Sequence, residues 1–517
     1  MENGGPFPPD ETDHAGPPAP HGPTSGARRG LRFALRGLTA THPPRTQSSP
    51  PMKLAFIHGW SVHHTDTYGE LPSILAAKAA GCGIDLDPID VHLGRYISFK
   101  NTVRMDDVVR ALDRALREAV GDGRGGIAPF SCITHSTGGP VVREWVMRYH
   151  AETMVDCPLR HLVMLAPANH GSALAALGSA RLGRLKAWFE GIEPGDKILE
   201  WLELGSTPGR ELNLAWMEIA PFAGGGSFMP FVLTGEKIDP KLYDHINSYT
   251  GEAGSDGVVR VAAANLTYSW LTLRQSRDRV PMAHGGEATL LAFDSKLERA
   301  TPAAFRLVPD ASHSGTKYGI LRSPTLANAD EKPVVAAILG ALSVRTKAAY
   351  NALAKTWAEA TAAEQEGRSK YRRCFQIVFQ ITDDQGERVT DYDVILLAGA
   401  KYDPDKLRKG FFVDKQRNKR SPEHITFYLD FDVMMAVPDE QFGFRIVARP
   451  DDGFAYYEPA EFRSSARTLD EFVDPNTTLY VDIVLRRLVD QETTRFGGID
   501  GAPGEFKDTK PAGKLVE

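Results

Sequence analysis

The sequence predicts a chain of two folded parts: an α/β domain on a mostly parallel sheet with helices on both faces, then a β-sandwich domain. Three observations predict it. From Lys53 to about residue 343, short apolar runs alternate repeatedly with helix-periodic stretches, as βαβ units do. From about residue 370, several short strand-like runs are separated by turn-rich pieces such as Asp-Asp-Gln-Gly (383–386) and Pro-Asp-Asp-Gly (450–453). Between the runs at 161–166 and 228–234, an aromatic-rich insertion over 172–225 interrupts the alternation. An insertion there lies over the carboxyl ends of the strands, where α/β sheets bind ligands, so it reads as a helical cap.

In chain order, residues 1–51 hold 11 of the 35 prolines and read as a disordered extension, too poor in apolar surface to offset ordering entropy. Within it, residues 27–38 mix basic and apolar residues at near-helical spacing, a pattern compatible with a membrane surface or a targeting role, but interior glycines weaken any helix. Met52 directly before the first strand is a second candidate translation start, which N-terminal sequencing of the native protein tests. The α/β domain is expected over 52–345, opening with the buried strand Lys-Leu-Ala-Phe-Ile (53–57) and its His58-Gly59-Trp60 loop. Met105, Val108, Val109, Leu112, Leu116 and Val120 share one helical face. Strands follow at Pro129–Ile133 and His161–Ala166, with a helix over Val141–Tyr149 between them. Phe228–Thr234, Ala288–Phe293 and Phe305–Val308 continue the series, before a helix at 331–343. A helical linker over 346–369 leads to the β-sandwich at 370–493, and 494–517 is a loose tail.

Composition narrows the function. Net charge −6 and a pI near 6.2 provide no general positive field for phosphates, which argues against a nucleic-acid partner. Cys82, Cys132, Cys157 and Cys374 are scattered, without a C-x-x-C pair, and read as reduced thiols rather than disulfides or a zinc site. No segment approaches the roughly 18 apolar residues of a membrane span, and the N-terminus lacks the apolar stretch of a secretory signal. A soluble, cytoplasmic product as synthesised is expected, with export by a signal-less route left open.

The chemistry centres on Thr-His-Ser-Thr-Gly-Gly (134–139), which directly follows a strand and directly precedes a helix. A serine on so sharp a turn lifts its hydroxyl clear of the sheet and leaves the first helical amides free for an oxyanion. Thr134 stands where the usual G-x-S-x-G pattern has glycine, so a plain helix cap at Ser136 is the competing reading. A serine nucleophile needs a base and an acid, and Ser136, Asp256 and His313 follow in that chain order. Asp256 lies in the glycine-flanked loop Gly-Ser-Asp-Gly-Val-Val (254–259), which an Asx-turn would also explain. His313 lies on a loop directly after a late strand; His284 is its rival, with Asp310 and Glu287 the rival acids. The Trp60 and Thr137 backbone amides are the candidate oxyanion hole. Trp188, Trp201 and Trp216 are the candidate substrate-binding residues, against the plainer reading that cap aromatics form the cap's own core.

These pieces resemble a lipase-type α/β-hydrolase over about 53–343. The resemblance is nearest to bacterial esterase/lipase proteins related to lecithin:cholesterol acyltransferase and GPI-inositol deacylase. It rests on Phe-Ile-His-Gly-Trp (56–60), Thr-His-Ser-Thr-Gly-Gly (134–139), Leu-Ala-Pro-Ala-Asn-His-Gly-Ser (165–172), Ser-Asp-Gly-Val-Val (255–259) and the His313 loop. It implies acyl-ester hydrolysis of a lipid-like substrate by Ser136, His313 and Asp256, with no metal and no cofactor. Some type VI secretion phospholipase effectors are similar to this group, which implies a secretion-system or immunity partner. An acyltransferase with the same triad and a non-catalytic hydrolase-shaped binding module are the alternatives. No P-loop, H-E-x-x-H or post-strand G-x-G-x-x-G competes. The basic stretch Lys401–Arg420 offers peripheral contact with anionic headgroups, diluted by Asp403, Asp405 and Asp414.

Overall fold

The computed structural model describes residues 50–58, 67–98, 100–177, 195–219, 228–238, 252–366, 371–449, 454–464, 471, 473–493, 510–512 and 515–516. The expectations for 1–49, for Trp60 and Trp188, and for most of the tail after Thr494 fall outside these residues.

Six strands form a wholly parallel sheet: β1 (Met52–His58), β2 (Leu86–His92), β3 (Phe130–His135), β4 (Leu159–Leu165), β5 (Met229–Thr234) and β9 (Ala304–Leu307), in the order β2-β1-β3-β4-β5-β9. Near-continuous apolar runs suit a sheet covered on both faces, because successive side chains point to opposite sides. Ala55, Ile57, Cys132, Leu162, Met164 and Val232 enter one core with the helices Met105–Ala119 and Gly138–His150. Leu54, Phe56, Ile133, Val163, Leu165, Phe231 and Leu233 enter the other, with the helices Leu71–Ala79 and Pro333–Ser343. The first helix of the former pair starts where Asp107 accepts from the Arg104 N–H at 3.1 Å, one of the orphan donors of a helix N-terminus.

The second sheet departs from the sequence reading: it includes β12 and β16, which were not expected as strands, and it begins earlier in the chain. Ala288–Phe293 was expected to continue the parallel series; instead β6 (Tyr268–Pro281) and β7 (Glu287–Phe293) form an antiparallel hairpin inside the second sheet. Its remaining strands are β8 (Glu298–Arg299), β10 (Cys374–Asp383), β11 (Tyr392–Ala398), β12 (Phe412–Arg417), β13 (His424–Asp430), β14 (Phe442–Ala448), β16 (Ala460–Arg463) and β17 (Thr478–Leu485). The order is β11-β14-β16-β7-β6-β17-β10-β13-β12, with β8 on β6. A small third sheet joins β15 (Ala455–Tyr456), β18 (Leu488–Asp490) and β19 (Leu515–Val516). The hairpin's alternation, with Leu271, Leu273 and Gln275 buried on one face, marks a strand. Its partner β17 begins with Tyr268 opposite Thr478, too distant in sequence for a local pattern to reveal.

The second sheet curls over on itself and so makes its own sandwich-like core. Phe379 of β10 meets Phe444 of β14 at 4.9 Å between ring centroids, although the two strands are not neighbours. Arg417 of the edge strand β12 donates to the Tyr392 carbonyl of the opposite edge at 2.6 Å. The helix Lys347–Gln365 seals the edge of the parallel sheet: Tyr350 donates to the Pro230 carbonyl at 2.5 Å, and Trp357 packs edge-on to Phe231.

The described half of the insertion, helices Asp196–Leu202 and Thr207–Met217, lies as a wedge between the sheets. Arg210 reaches Gln380 at 2.6 Å and pairs with Asp482, while His424 meets the Gly205 carbonyl at 2.6 Å. Among the described residues no helix is long and apolar enough to cross a membrane.

Candidate active site

Ser136 is the first of two residues between β3 and the helix Gly138–His150, with φ +52°, a left-handed conformation that costs a non-glycine residue energy. The surroundings enforce it. Ser136 N–H donates to Leu165 O at 3.0 Å, and its carbonyl accepts from Ala168 at 3.3 Å. A side chain at position 139 would place its Cβ 2.8 Å from the Pro167 Cβ, so glycine alone lets the helix approach the strand. The same logic explains Thr134. Its Cβ stands 3.2 Å from where a Cβ on residue 138 would be, so the bulk usually absent before the serine is accommodated by glycine after it.

The structure brings the three predicted residues together. His313 Nε2 lies 3.1 Å from Ser136 Oγ, and His313 Nδ1 lies 2.9 Å from Asp256 Oδ2. Asp256 and His313 are both 0% exposed and Ser136 is 8% exposed, so the line of hydrogen bonds opens to solvent only at its serine end. The other Asp256 oxygen, Oδ1, accepts from the Val258 and Val259 amides at 2.9 and 2.8 Å. This Asx-type turn, which the sequence offered as the plain explanation of Asp256, leaves Oδ2 for the histidine. The carboxylate is acceptor-only, so Nδ1 carries the proton and Nε2 faces the serine as a base.

His135 is a neighbour that the sequence reading left without a role. Its Nε2 lies 3.0 Å from the His313 carbonyl and its ring 4.6 Å from the His313 ring. Burial beside a second imidazole holds its pKa well below the usual histidine range, so it braces the His313 loop as a neutral group.

Thr137 is buried, and among the described residues no carbonyl accepts from its N–H, which starts the helix. Trp60, its predicted companion, lies outside the described residues. Trp201 and Trp216 are each 5% exposed within the core that includes the helix Gly138–His150; Trp216 stacks on the Arg143 guanidinium at 4.6 Å and tilts against Phe228. The rivals are elsewhere. His284 is exposed at the β6–β7 turn beside Asp403 at 3.1 Å, Asp310 pairs with Lys237, and Glu287 is exposed on β7.

No family model matches the chain, and no curated protein does. Among solved structures, phospholipase PlaB from Legionella pneumophila is 42% identical; the match covers 90% of this chain and 100% of that one, with a TM-score of 0.79. The same phospholipase in complex with thio-NAD matches at 41% identity over the same shares, with the same TM-score. The chain belongs to the PlaB phospholipase family. A Bacillus licheniformis lipase, at 19% identity and TM-score 0.30 over 43% of this chain and 82% of its own, is too remote to argue from. Membership in the PlaB family makes the chain a lipase-type carboxylic-ester hydrolase of the α/β-hydrolase class, with a large β domain attached.

In this PlaB-family chain the segment 165–172 ties the nucleophile helix to both the acid loop and the second sheet. Ser172 Oγ donates to Val258 O at 2.6 Å, two residues from Asp256. His170 joins Tyr480 of β17 at 2.8 Å through Nδ1 and the Asn265 carbonyl at 2.8 Å through Nε2; burial pushes its pKa down to about 3. Arg143, fully buried in the nucleophile helix, donates to Asn213 at 2.8 Å and Asn169 at 3.4 Å. The segment's sequence signalled membership, but only the fold reveals that its polar residues are rivets.

Proposed function

We propose that the protein hydrolyses the acyl ester of a phospholipid through an acyl-enzyme on Ser136. The observation that carries this reading is the buried line Ser136–His313–Asp256, with spacings of 3.1 and 2.9 Å, in a chain 42% identical to a phospholipase. Ser136 Oγ attacks the ester carbonyl while His313 Nε2 takes its proton, and Asp256 Oδ2 steadies the imidazolium through Nδ1–H. The oxyanion is received by the Thr137 amide, with the Trp60 amide as second donor. His313 then returns the proton to the departing alcohol oxygen. Water, deprotonated by the same nitrogen, attacks the acyl-serine; the acyl–Oγ bond breaks, His313 passes that proton to Ser136 Oγ, and the fatty acid is released.

The lipid surface is met by peripheral contact, since the described helices offer no span. Exposed Phe412, on the edge strand that carries Lys415 and Arg417, gives that contact an apolar and a basic component. The reading also includes a soluble protein exported without a signal, with a secretion-system or immunity partner. Fatty-acid release from phosphatidylglycerol and phosphatidylcholine vesicles, beside p-nitrophenyl butyrate, tests the substrate class. Fatty acid and lysophospholipid in equal amounts at early times support it; cleavage of the soluble ester with intact vesicle lipid overturns it.

A further inference from the structure

The loop that presents Asp256 is held from outside itself. Gly254, two residues before the acid, donates its N–H to Glu236 Oε1 at 2.8 Å, and its carbonyl accepts from the Tyr428 hydroxyl at 2.5 Å. Tyr428 belongs to β13 of the second sheet and lies 174 residues further along the chain. Glu236 follows β5, and the same Oε1 takes the Arg372 N–H at 2.8 Å, where the chain enters β10. One residue of the acid loop is therefore held through its N–H by a group following a strand of the parallel sheet and through its carbonyl by the second sheet.

The other end of the loop is gripped as well. Arg260, 1% exposed, donates to both Glu252 oxygens at 3.0 and 2.7 Å and pairs with Asp414 of β12. Its guanidinium lies 4.4 Å over the Tyr428 ring, so the same tyrosine touches both ends. Gly254 has φ +72°, and a Cβ there would stand 2.7 Å from Cys374 Sγ of β10. The fit leaves no slack. Between the two grips the Val258 and Val259 amides fix Asp256 Oδ1, so the height of the Gly254 peptide sets where Oδ2 meets His313.

We infer that Tyr428 is a positioning residue for the Ser136–His313–Asp256 relay: its hydroxyl, delivered by the second sheet, fixes the acid loop at the distance His313 requires. The β domain is thereby a working part of the hydrolase centre. The inference rests on the proposed roles of Ser136, His313 and Asp256. A displaced carboxylate leaves the imidazole less well oriented, which lowers turnover and leaves substrate binding alone.

The test is a double-mutant cycle on the full chain with p-nitrophenyl butyrate as the probe. Tyr428→Phe removes only the hydroxyl. Tyr402→Phe is the control: another buried tyrosine of the β domain, in the turn after β11, whose hydroxyl donates to a carbonyl, Ser464 O, at 2.6 Å, without touching the acid loop. Tyr428→Phe is expected to lower kcat about tenfold with KM within twofold, while Tyr402→Phe at a similar Tm keeps kcat. In the Asp256→Asn background, Tyr428→Phe is expected to add less than twofold. Asp414→Asn provides a second, independent cut at the same grip, with a kcat loss in the same direction. Unchanged kcat in Tyr428→Phe, or a tenfold loss that persists in full on Asp256→Asn, overturns the inference. A wild-type rate in Asp256→Asn itself instead overturns the triad reading beneath it.

Discussion

The turn that carries Ser136 and the loop that carries Asp256 sit at opposite ends of one line of hydrogen bonds, yet they are built in different ways. The serine turn is local: six contiguous residues, 134–139, set its strain, its glycines and its helix start, and its closest neighbours are strands of the same parallel sheet. The acid loop is an assembly. Its own amides hold the carboxylate, but the loop is held by Tyr428, Asp414 and Cys374, all from strands of the second sheet. A nucleophile can thus be encoded in a short motif, whereas its acid depends on strands more than a hundred residues further along the chain.

The largest predicted effects break the line itself. Ser136→Ala is expected to lower turnover on p-nitrophenyl butyrate on the order of 10⁶-fold, and Asp256→Asn on the order of 10⁴-fold, with both variants folded by circular dichroism. A loss for Asp256→Asn of under tenfold would mean that the acid loop does not take part, and the comparison would collapse.

Stability comes next. Gly139→Ala drives a methyl against the Pro167 Cβ, and Gly254→Ala drives one against Cys374 while also forcing alanine to φ +72°. Each is expected to cost about 1–3 kcal/mol in urea unfolding, with Gly254→Ala the dearer because strain adds to the clash. Equal or reversed costs would place the tighter constraint at the serine turn.

The smallest effect is a pH dependence. Burial pushes the Glu236 carboxyl up to about 7, above its ordinary 4.5, despite two backbone N–H donors. A raised folded-state pKa means the native chain binds the extra proton, so this stabilisation is complete below pH 4.5 and is lost as pH rises through 7. Glu236→Gln keeps an acceptor for Gly254 and Arg372 but has no proton to lose. Its Tm relative to the wild type should therefore rise between pH 5 and pH 8; a constant difference would show that Glu236 does not titrate within the grip. Glu144, also raised to about 7 by burial, is common to both proteins and leaves this difference unaffected.

The contrast between the two regions also explains how far the sequence could be read. Ser136 and His313 were legible because each sits on a short loop directly after an apolar run, and Asp256 because its glycine-flanked loop falls between them in the chain order the chemistry uses. Five strands of the parallel sheet were legible as short, mostly apolar runs; β2, Leu-Asp-Pro-Ile-Asp-Val-His, was not, because polar residues interrupt it and its first half is largely exposed at the sheet edge. The β6–β7 hairpin was not, because its strand pattern cannot say that its partners lie near residues 460 and 478. Tyr428 was not legible either: in β13 every residue from His424 to Asp430 is buried, so nothing in the local alternation distinguishes the tyrosine that touches Gly254. Trp201 and Trp216 drew attention as aromatics in an insertion; both lie in the core shared with the nucleophile helix, where Trp216 stacks on the buried Arg143.

The account turns on Ser136 as the reacting atom's owner, and covalent labelling with a fluorophosphonate probe tests that most directly. Intact-mass and peptide mapping of the full chain should find one adduct, on Ser136, with none on Ser136→Ala and slowed labelling in His313→Ala. An adduct on any other residue, or undiminished labelling of Ser136→Ala, would contradict it.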